Sequence, residues 1–73
     1  MKKELKEKVK KAIENFEFNN NGLRWTMGGY VDVKKITEDE DYYYANVTIG
    51  NDADGTRTTY DNCEYPKKEF KIK

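Results

Sequence analysis

The sequence predicts an α+β fold in which one N-terminal amphipathic helix packs across an antiparallel meander of three or four strands. Two patterns support this prediction. Apolar residues recur at helical spacing over residues 2 to about 18, and at every second position over most of the remaining chain. The change of period falls at the turn-forming segment Asn19–Gly22. With 73 residues the chain has room for one small core, so we interpret residues 1–73 as a single domain.

The predicted helix has one apolar stripe. Its members are Leu5, Val9, Ala12, Ile13 and Phe16. Lysine, glutamate and asparagine fill the other positions, as on a solvated helix surface. Asn19–Gly22 tolerates the left-handed backbone conformation that ends many helices, so we expect the helix to end there. A stripe this narrow needs a second layer on which to pack.

The segment Leu23–Ile36 predicts the first strand, because polar and apolar residues alternate along it. The apolar positions expected to face the helix are Leu23, Trp25, Met27, Val31 and Val33. Tyr30 and Asp32 lie at the outward positions. Gly28 and Gly29 interrupt the alternation, which indicates a bulge or bend that would curl the strand around the helix.

The stretch "TEDEDYYYANVTIG" predicts an acidic reversal followed by the second strand. Four residues are expected to face the helix: Tyr43, Ala45, Val47 and Ile49. Four others are expected to face outward: Tyr42, Tyr44, Asn46 and Thr48. The three consecutive tyrosines are therefore divided between the two faces of the sheet.

The turn "GNDADG" leads into a third strand from about Thr56 to Tyr65. We prefer a register that directs Thr59, Cys63 and Tyr65 toward the helix and Thr58, Tyr60 and Asn62 outward, since it buries the cysteine. A shift of one residue would instead bury Tyr60 and expose Cys63. After Pro66, Phe70 and Ile72 predict a short fourth strand edged with lysines.

The order of one helix followed by a meander resembles the helix-wrapped sheets of the cystatin-like group. It is also similar to the first helix and three strands of double-stranded-RNA-binding domains. Both are resemblances of topology without matching sequence motifs, and topology alone assigns no function. The second helix and the lysine cluster of the RNA-binding domains have no counterpart in this sequence, which argues against RNA.

The residue inventory argues against catalysis and against a bound metal or cofactor. The sequence has no histidine and no serine, and Cys63 is its one cysteine, so Ser–His and Cys–His pairs are impossible. A zinc site is not expected without histidine. The stretch "NDADGTRTTYD" matches a calcium loop only in part, because the first ligand position falls on Gly50. We predict a non-enzymatic protein without cofactors.

The sequence predicts a cytoplasmic protein without a membrane segment. No apolar run approaches the roughly 18 residues that a membrane-spanning helix needs. The basic N-terminal segment is not followed by the apolar core of a signal peptide. A single thiol is compatible with a reducing compartment.

The outward face of the sheet is the predicted functional site. We expect Tyr30 to pair with Asn46, Asp32 with Tyr44, and Tyr60 to lie beside them. The candidate protein-binding residues are Tyr30, Asp32, Tyr42, Tyr44, Asn46, Tyr60 and Asn62. Tyrosine among asparagine and threonine gives rigid contact area together with hydroxyl groups, as in recognition surfaces.

Three functions are compatible with this face. The first is a protein-binding module of the inhibitor or accessory type, from a bacterium or mobile element. The second is a homodimer that uses the same face, and the third is a small-ligand carrier with a pocket near Trp25. Glu38–Glu64 carries eight acidic residues against Arg57 alone, a net charge of −7, which is compatible with an ordinary solvated surface or with an acidic rim for a basic protein partner. The same charge argues against nucleic acid, whose binding sites include a basic groove.

Overall fold

The computed structural model describes residues 1–70 and residue 72. It contains a helix, α1 (Lys3–Asn20), a 3-10 turn (Leu23–Trp25) and three strands, β1 (Gly29–Glu38), β2 (Tyr42–Asn51) and β3 (Thr56–Pro66). The strands form one antiparallel sheet in the order β1-β2-β3. Helix α1 packs on one face of the sheet, which we call the inner face. The predicted α+β class and the order of helix and meander are confirmed.

Helix α1 packs most of the predicted stripe on the sheet, although its last member, Phe16, is 40% exposed. Val9 and Ile13 have no exposed surface, and Leu5 and Ala12 pack beside them. The helix ends at Asn20, within the asparagine run, and the Asn21 backbone N–H and side-chain amide both donate to the Glu17 carbonyl of its last turn. Gly22 then adopts a left-handed conformation with φ 64°, and the chain turns away from the helix axis.

The core lies between α1 and the inner face. Its buried members are Val9, Ile13, Val33, Ile36, Tyr43, Ala45, Val47, Tyr65 and Phe70. Phe16 borders the core, and its ring contacts those of Tyr65 and Phe70 edge to face. None of the helices in the described part of the chain combines the length and apolar character needed to cross a membrane.

The segment before β1 differs from the prediction. Residues Leu23–Trp25 form a 3-10 turn, and β1 begins only at Gly29. Leu23 is buried as expected, but Trp25 and Met27 are 85% and 86% exposed, so the inward positions predicted for them are wrong. The cause is local, because the Thr26 hydroxyl and backbone N–H both bond to the Leu23 carbonyl and close a turn.

Two bulges lie opposite the same part of β2, one in β1 and one in β3. In β1 the register shifts between Lys34 and Thr37, where Lys35 has φ 54°. In β3 the shift lies opposite Ala45–Val47, where Asn62 has φ 53°. Each bulge adds one residue, so the inward and outward positions of that strand exchange beyond it. Before the bulge, the inward residues of β1 have odd numbers, such as Val31 and Val33. After it, the even-numbered Ile36 faces inward and is buried.

The pairing of β1 with β2 also differs from the prediction. Asp32 pairs with Thr48 instead of Tyr44, and Tyr30 pairs with Gly50 instead of Asn46. The ladder continues to the pair Glu38–Tyr43, so the reversal lies further along the chain than predicted. An acidic run does not by itself end strand pairing when its first residue can extend the ladder.

The predicted register of β3 is correct at its C-terminal end and wrong at its N-terminal end. Cys63 pairs with Ala45 and Tyr65 with Tyr43, which places both on the inner face as predicted. Beyond the bulge, Tyr60 pairs with Val47 and therefore lies on the inner face, where it is 51% exposed. Thr59 pairs with Thr48 on the outer face, and their hydroxyl oxygens lie 3.0 Å apart. The outward position predicted for Tyr60 and the inward position predicted for Thr59 are therefore wrong.

The segment after β3 begins with a turn. The backbone N–H groups of Glu69 and Phe70 both donate to the Pro66 carbonyl. Phe70 is buried in the core, and the partly buried Ile72 packs against the core cluster. The predicted fourth strand does not occur among the described residues, and Lys71 and Lys73 lie outside them.

Candidate protein-binding surfaces

The outer face of the sheet has no second layer among the described residues. Helix α1 occupies the inner face, and residues 1–70 and 72 contain no further helix or strand that could cover the other side. Tyr30, Asp32, Tyr42, Tyr44 and Asn46 lie on this outer face and are half-buried. Five of the seven predicted site residues therefore share one face.

These residues form separate groups along the outer face. The Tyr30 ring lies over Gly50, where an added Cβ would be 2.4 Å from the ring. Tyr44 is six residues from Gly50 along β2, a distance of about 20 Å. Tyr30 is thus remote from the pair Tyr42 and Tyr44, and its ring has a structural role in covering a glycine.

Tyr42 and Tyr44 form an aromatic pair at one end of the outer face. Their ring centroids are 6.1 Å apart, with planes inclined by 35°. In the middle of the face, the Asn46 side chain accepts a hydrogen bond of 2.9 Å from the Asn62 backbone N–H. That bond stabilises the β3 bulge, which accounts for both asparagines in structural terms. Tyr60 belongs to the other face.

The reversal between β1 and β2 is organised by Asp39. One carboxylate oxygen accepts the backbone N–H groups of Asp41 and Tyr42, and the other accepts the Tyr44 hydroxyl at 2.5 Å. The Tyr44 hydroxyl is the largest cause that lowers the pKa of Asp39, followed by the two backbone groups. The same bond raises the pKa of Tyr44 to about 12. The orientation of the Tyr44 ring is therefore fixed by a charged acceptor.

Lys67 joins the segment after β3 to this reversal. Its ammonium lies 2.6 Å from the Glu38 carboxylate and 5.1 Å from the centroid of the Tyr43 ring. Its backbone N–H donates to the Asp41 carbonyl. The ion pair with Glu38 raises the pKa of Lys67. A shallow cavity of about 370 Å³ lies beside it, lined by Glu40, Asp41, Tyr42, Pro66, Lys67 and Lys68.

The loop that carries Trp25 and Met27 is a second exposed surface, which the sequence alternation concealed. Gly28, with φ 77°, lies so close to the β2–β3 turn that an added Cβ would be 2.9 Å from the Ala53 nitrogen. Its carbonyl also accepts the Asp52 backbone N–H. The loop is therefore held at both ends while its two largest side chains face solvent. Glycines on both sides of the motif "LRWTM" were the available signal for a loop.

A second groove of about 370 Å³ lies between the C-terminal half of α1 and the beginning of β1. Its lining residues are Glu14, Asn15, Phe18, Gly29, Tyr30 and Val31. Trp25, which the carrier hypothesis placed beside a pocket, lines neither this groove nor the cavity at Lys67. Among the described residues, no group of three or more potential metal-ligating side chains comes together.

One polar group is enclosed in the core. The Tyr65 hydroxyl is buried and has no hydrogen-bond partner within residues 1–70 and 72. Burial raises the pKa of Tyr65, and the nearby Glu17 carboxylate raises it further. Burial likewise raises the pKa of Glu17. Tyr65 lines neither of the two grooves, and its ring contacts Phe16, so it is part of the packing between α1 and β3.

Comparisons with protein-family models, curated proteins and solved structures find no match to this chain. The resemblance of its topology to the cystatin-like group is therefore not accompanied by a match to a solved structure. The function is inferred from the residues and their geometry.

Proposed function

We propose that this protein is a non-enzymatic module that binds another protein through the outer face of its sheet. The observation that carries the proposal is the half-buried pair Tyr42 and Tyr44 on a face that no described helix or strand covers. Tyrosine rings on a rigid strand supply contact area at low entropic cost. The hydrogen bond to Asp39 already holds the Tyr44 ring in one orientation.

The charges beside the tyrosine pair favour a basic partner. Asp39 binds the Tyr44 hydroxyl, and Glu64 pairs with Tyr44 across the ladder to β3. Both carboxylates are exposed, and neither has an ion pair within the described residues. A lysine or arginine of the partner would lie over the tyrosine rings and reach one of these carboxylates.

An enzymatic role has little support in the geometry. The most organised polar group is the Asp39–Tyr44 pair, which is exposed to solvent. The lowered pKa of Asp39 makes it a weak general base near neutral pH. The raised pKa of Tyr44 makes its hydroxyl a weak acid. Both groups are best explained as parts of a turn.

Affinity capture with matched variants tests the proposal. The immobilised protein is exposed to an extract of its source cells, beside the variants Tyr42→Ala and Tyr44→Ala. We expect both variants to lose a partner that the unmodified protein retains, since aromatic truncation at the centre of an interface commonly costs more than about 1 kcal/mol. Tyr60→Ala is the control, because that tyrosine is exposed on the opposite face.

Two outcomes would contradict the proposed function. A captured partner that is retained equally by all three variants would exclude the tyrosine pair as the contact. Sedimentation velocity at several concentrations addresses the homodimer alternative. A dimer that dissociates on Tyr44→Lys would assign the outer face to self-association instead.

A further inference from the structure

The groove between α1 and β1 has a free strand edge as one wall. Strand β1 is at the edge of the sheet, so alternate backbone N–H and C=O groups point away from β2. No backbone bond outside the ladder reaches residues 29–34 from any described residue. The regular edge runs from Gly29 to Lys34, where the bulge ends it. It offers about 20 Å of pairing surface, enough for six residues of an added strand.

The helix supplies the second wall, which combines an apolar ring with a carboxylate. Phe18 is half-buried in the groove, and Glu14 lies one helical turn before it. Residues four apart on a helix are separated by about 6 Å along its axis. Alternate residues of a strand are separated by about 6.6 Å. Two side chains on one face of an extended peptide therefore have nearly the same spacing as Glu14 and Phe18.

The charge of this end of the helix is negative and unbalanced. From Ala12 to Asn20 the charged residues of α1 are Glu14 and Glu17, and the last turn has no basic residue. Glu14 makes no ion pair with any described residue. The helix dipole adds negative potential at its C-terminus, where cations are favoured. A positively charged ligand would relieve this unfavourable arrangement.

We propose that the groove binds an extended peptide that joins the sheet as a fourth strand beside Gly29–Lys34. The peptide carries a lysine or arginine and an apolar residue two positions apart, in either order. The basic side chain pairs with Glu14, and the apolar side chain packs on Phe18. Strand addition supplies affinity through backbone bonds, and the two side chains supply specificity. This site is distinct from the tyrosine pair and does not depend on the function proposed for it.

Panning of a phage-displayed library of random decapeptides against the intact protein tests this inference. We expect enriched peptides to contain the basic and apolar residues two positions apart. A synthetic copy of an enriched peptide should bind Glu14→Gln roughly three- to fivefold more weakly than the unmodified protein. Its affinity should also fall as salt concentration rises. Glu7→Gln, on the exposed N-terminal half of α1, should bind it normally.

Nuclear magnetic resonance of the same peptide complex locates the contact. We expect shift changes at residues 14–18 and 29–34, with slower hydrogen exchange at the outward amides of β1. The inference is overturned by a library without enrichment, by enriched peptides that lack the spacing, or by affinity that ignores Glu14→Gln. Shift changes confined to Tyr42 and Tyr44 would also overturn it, while supporting the function proposed for the outer face.

Discussion

At the scale of single residues, Asp39 shows how one member of an acidic run acquires a structural role. Its carboxylate accepts two backbone N–H groups and the Tyr44 hydroxyl, so it closes the reversal between β1 and β2. The three consecutive tyrosines consequently differ in environment. Tyr43 is in the core, Tyr44 is bound to Asp39, and the Tyr42 ring lies beside that of Tyr44.

Tyr44→Phe tests the effect of this hydrogen bond on Asp39. The bond lowers the folded-state pKa of Asp39 below its ordinary value of 3.8. Asp39 therefore contributes stability above that value, and the contribution is lost as pH falls through the lowered pKa. We expect the variant to have a higher Asp39 pKa and a smaller loss of stability in acid. A carboxyl titration followed by nuclear magnetic resonance measures the first effect.

The same hydrogen bond also affects the titration of Tyr44 at alkaline pH. The Tyr44 pKa is raised from 10.0 to about 12, so its contribution is complete below pH 10 and is lost as pH rises toward 12. Asp39→Asn should lower the Tyr44 pKa toward its ordinary value, which ultraviolet absorbance of the phenolate detects. An unchanged Tyr44 titration in this variant would contradict the hydrogen bond in solution.

At the scale of elements, the two bulges decide which side chains share a face. They lie in β1 and β3, on either side of the Ala45–Asn46 segment of the central strand. Beyond them Ile36 enters the core and Tyr60 leaves the outer face. Both bulges contain a residue with positive φ, Lys35 in β1 and Asn62 in β3. Asparagine tolerates this conformation, whereas lysine adopts it only at a cost in free energy.

Lys35→Gly should therefore stabilise the protein, unlike most glycine substitutions in a strand. Removal of the Cβ relieves a left-handed conformation that costs roughly 1–2 kcal/mol, and part of that gain is offset by the greater freedom of glycine in the unfolded chain. We expect the free energy of unfolding to rise by about 0.5–1 kcal/mol in urea denaturation.

Lys34→Gly is the matched control for the bulge. Lys34 is the preceding residue, is also exposed, and has no positive φ; its ion pair with Asp32 is exposed to solvent and contributes little to stability. Glycine there should lower the free energy of unfolding by about 0.5–1 kcal/mol. Equal losses in the two variants would mean that the β1 bulge does not have the described conformation.

At the scale of the whole molecule, stability rests on a small number of side chains. Val9, Ile13 and Val47 are the largest fully buried residues of the described chain. A domain of this size has a free energy of unfolding of only about 4–11 kcal/mol. The free energy lost by creating one cavity in the core is therefore a large fraction of the total free energy of unfolding.

Ile13→Ala and Trp25→Ala should differ strongly in their effect on stability, although both replace large apolar residues. Loss of the Ile13 side chain should cost about 2–5 kcal/mol, because it removes buried contacts and leaves a cavity. Loss of the Trp25 side chain should change the free energy of unfolding by less than about 0.5 kcal/mol, since it is 85% exposed. Thermal and urea denaturation followed by circular dichroism compare them. A large loss of stability in Trp25→Ala would place its ring in the core, as the alternation predicted.

Several features of the fold and the candidate site follow from sequence patterns because they depend on local physics. Helical spacing predicts the burial of Val9 and Ile13, and alternation predicts that Tyr43 and Tyr44 face opposite sides. The outward position predicted for Tyr60 is wrong, and so is the predicted pairing of Tyr30 with Asn46, because both depend on pairing between strands. Register is a relation between two segments, and one inserted residue in a bulge changes it without altering the composition.

The sequence by itself determined the α+β class, the helix with its apolar stripe, and the division of the tyrosine run between two faces. Each depends on the period of one segment, which neighbouring residues set. Only the tertiary structure decided the registers of β1 and β3, the bulges at Lys35 and Asn62, and the exposure of Trp25 and Met27. The registers and bulges depend on pairing between segments distant in sequence, so neither segment determines them alone. The exposure of Trp25 and Met27 depends on the local turn at Thr26 and also on the contact of Gly28 with the β2–β3 turn.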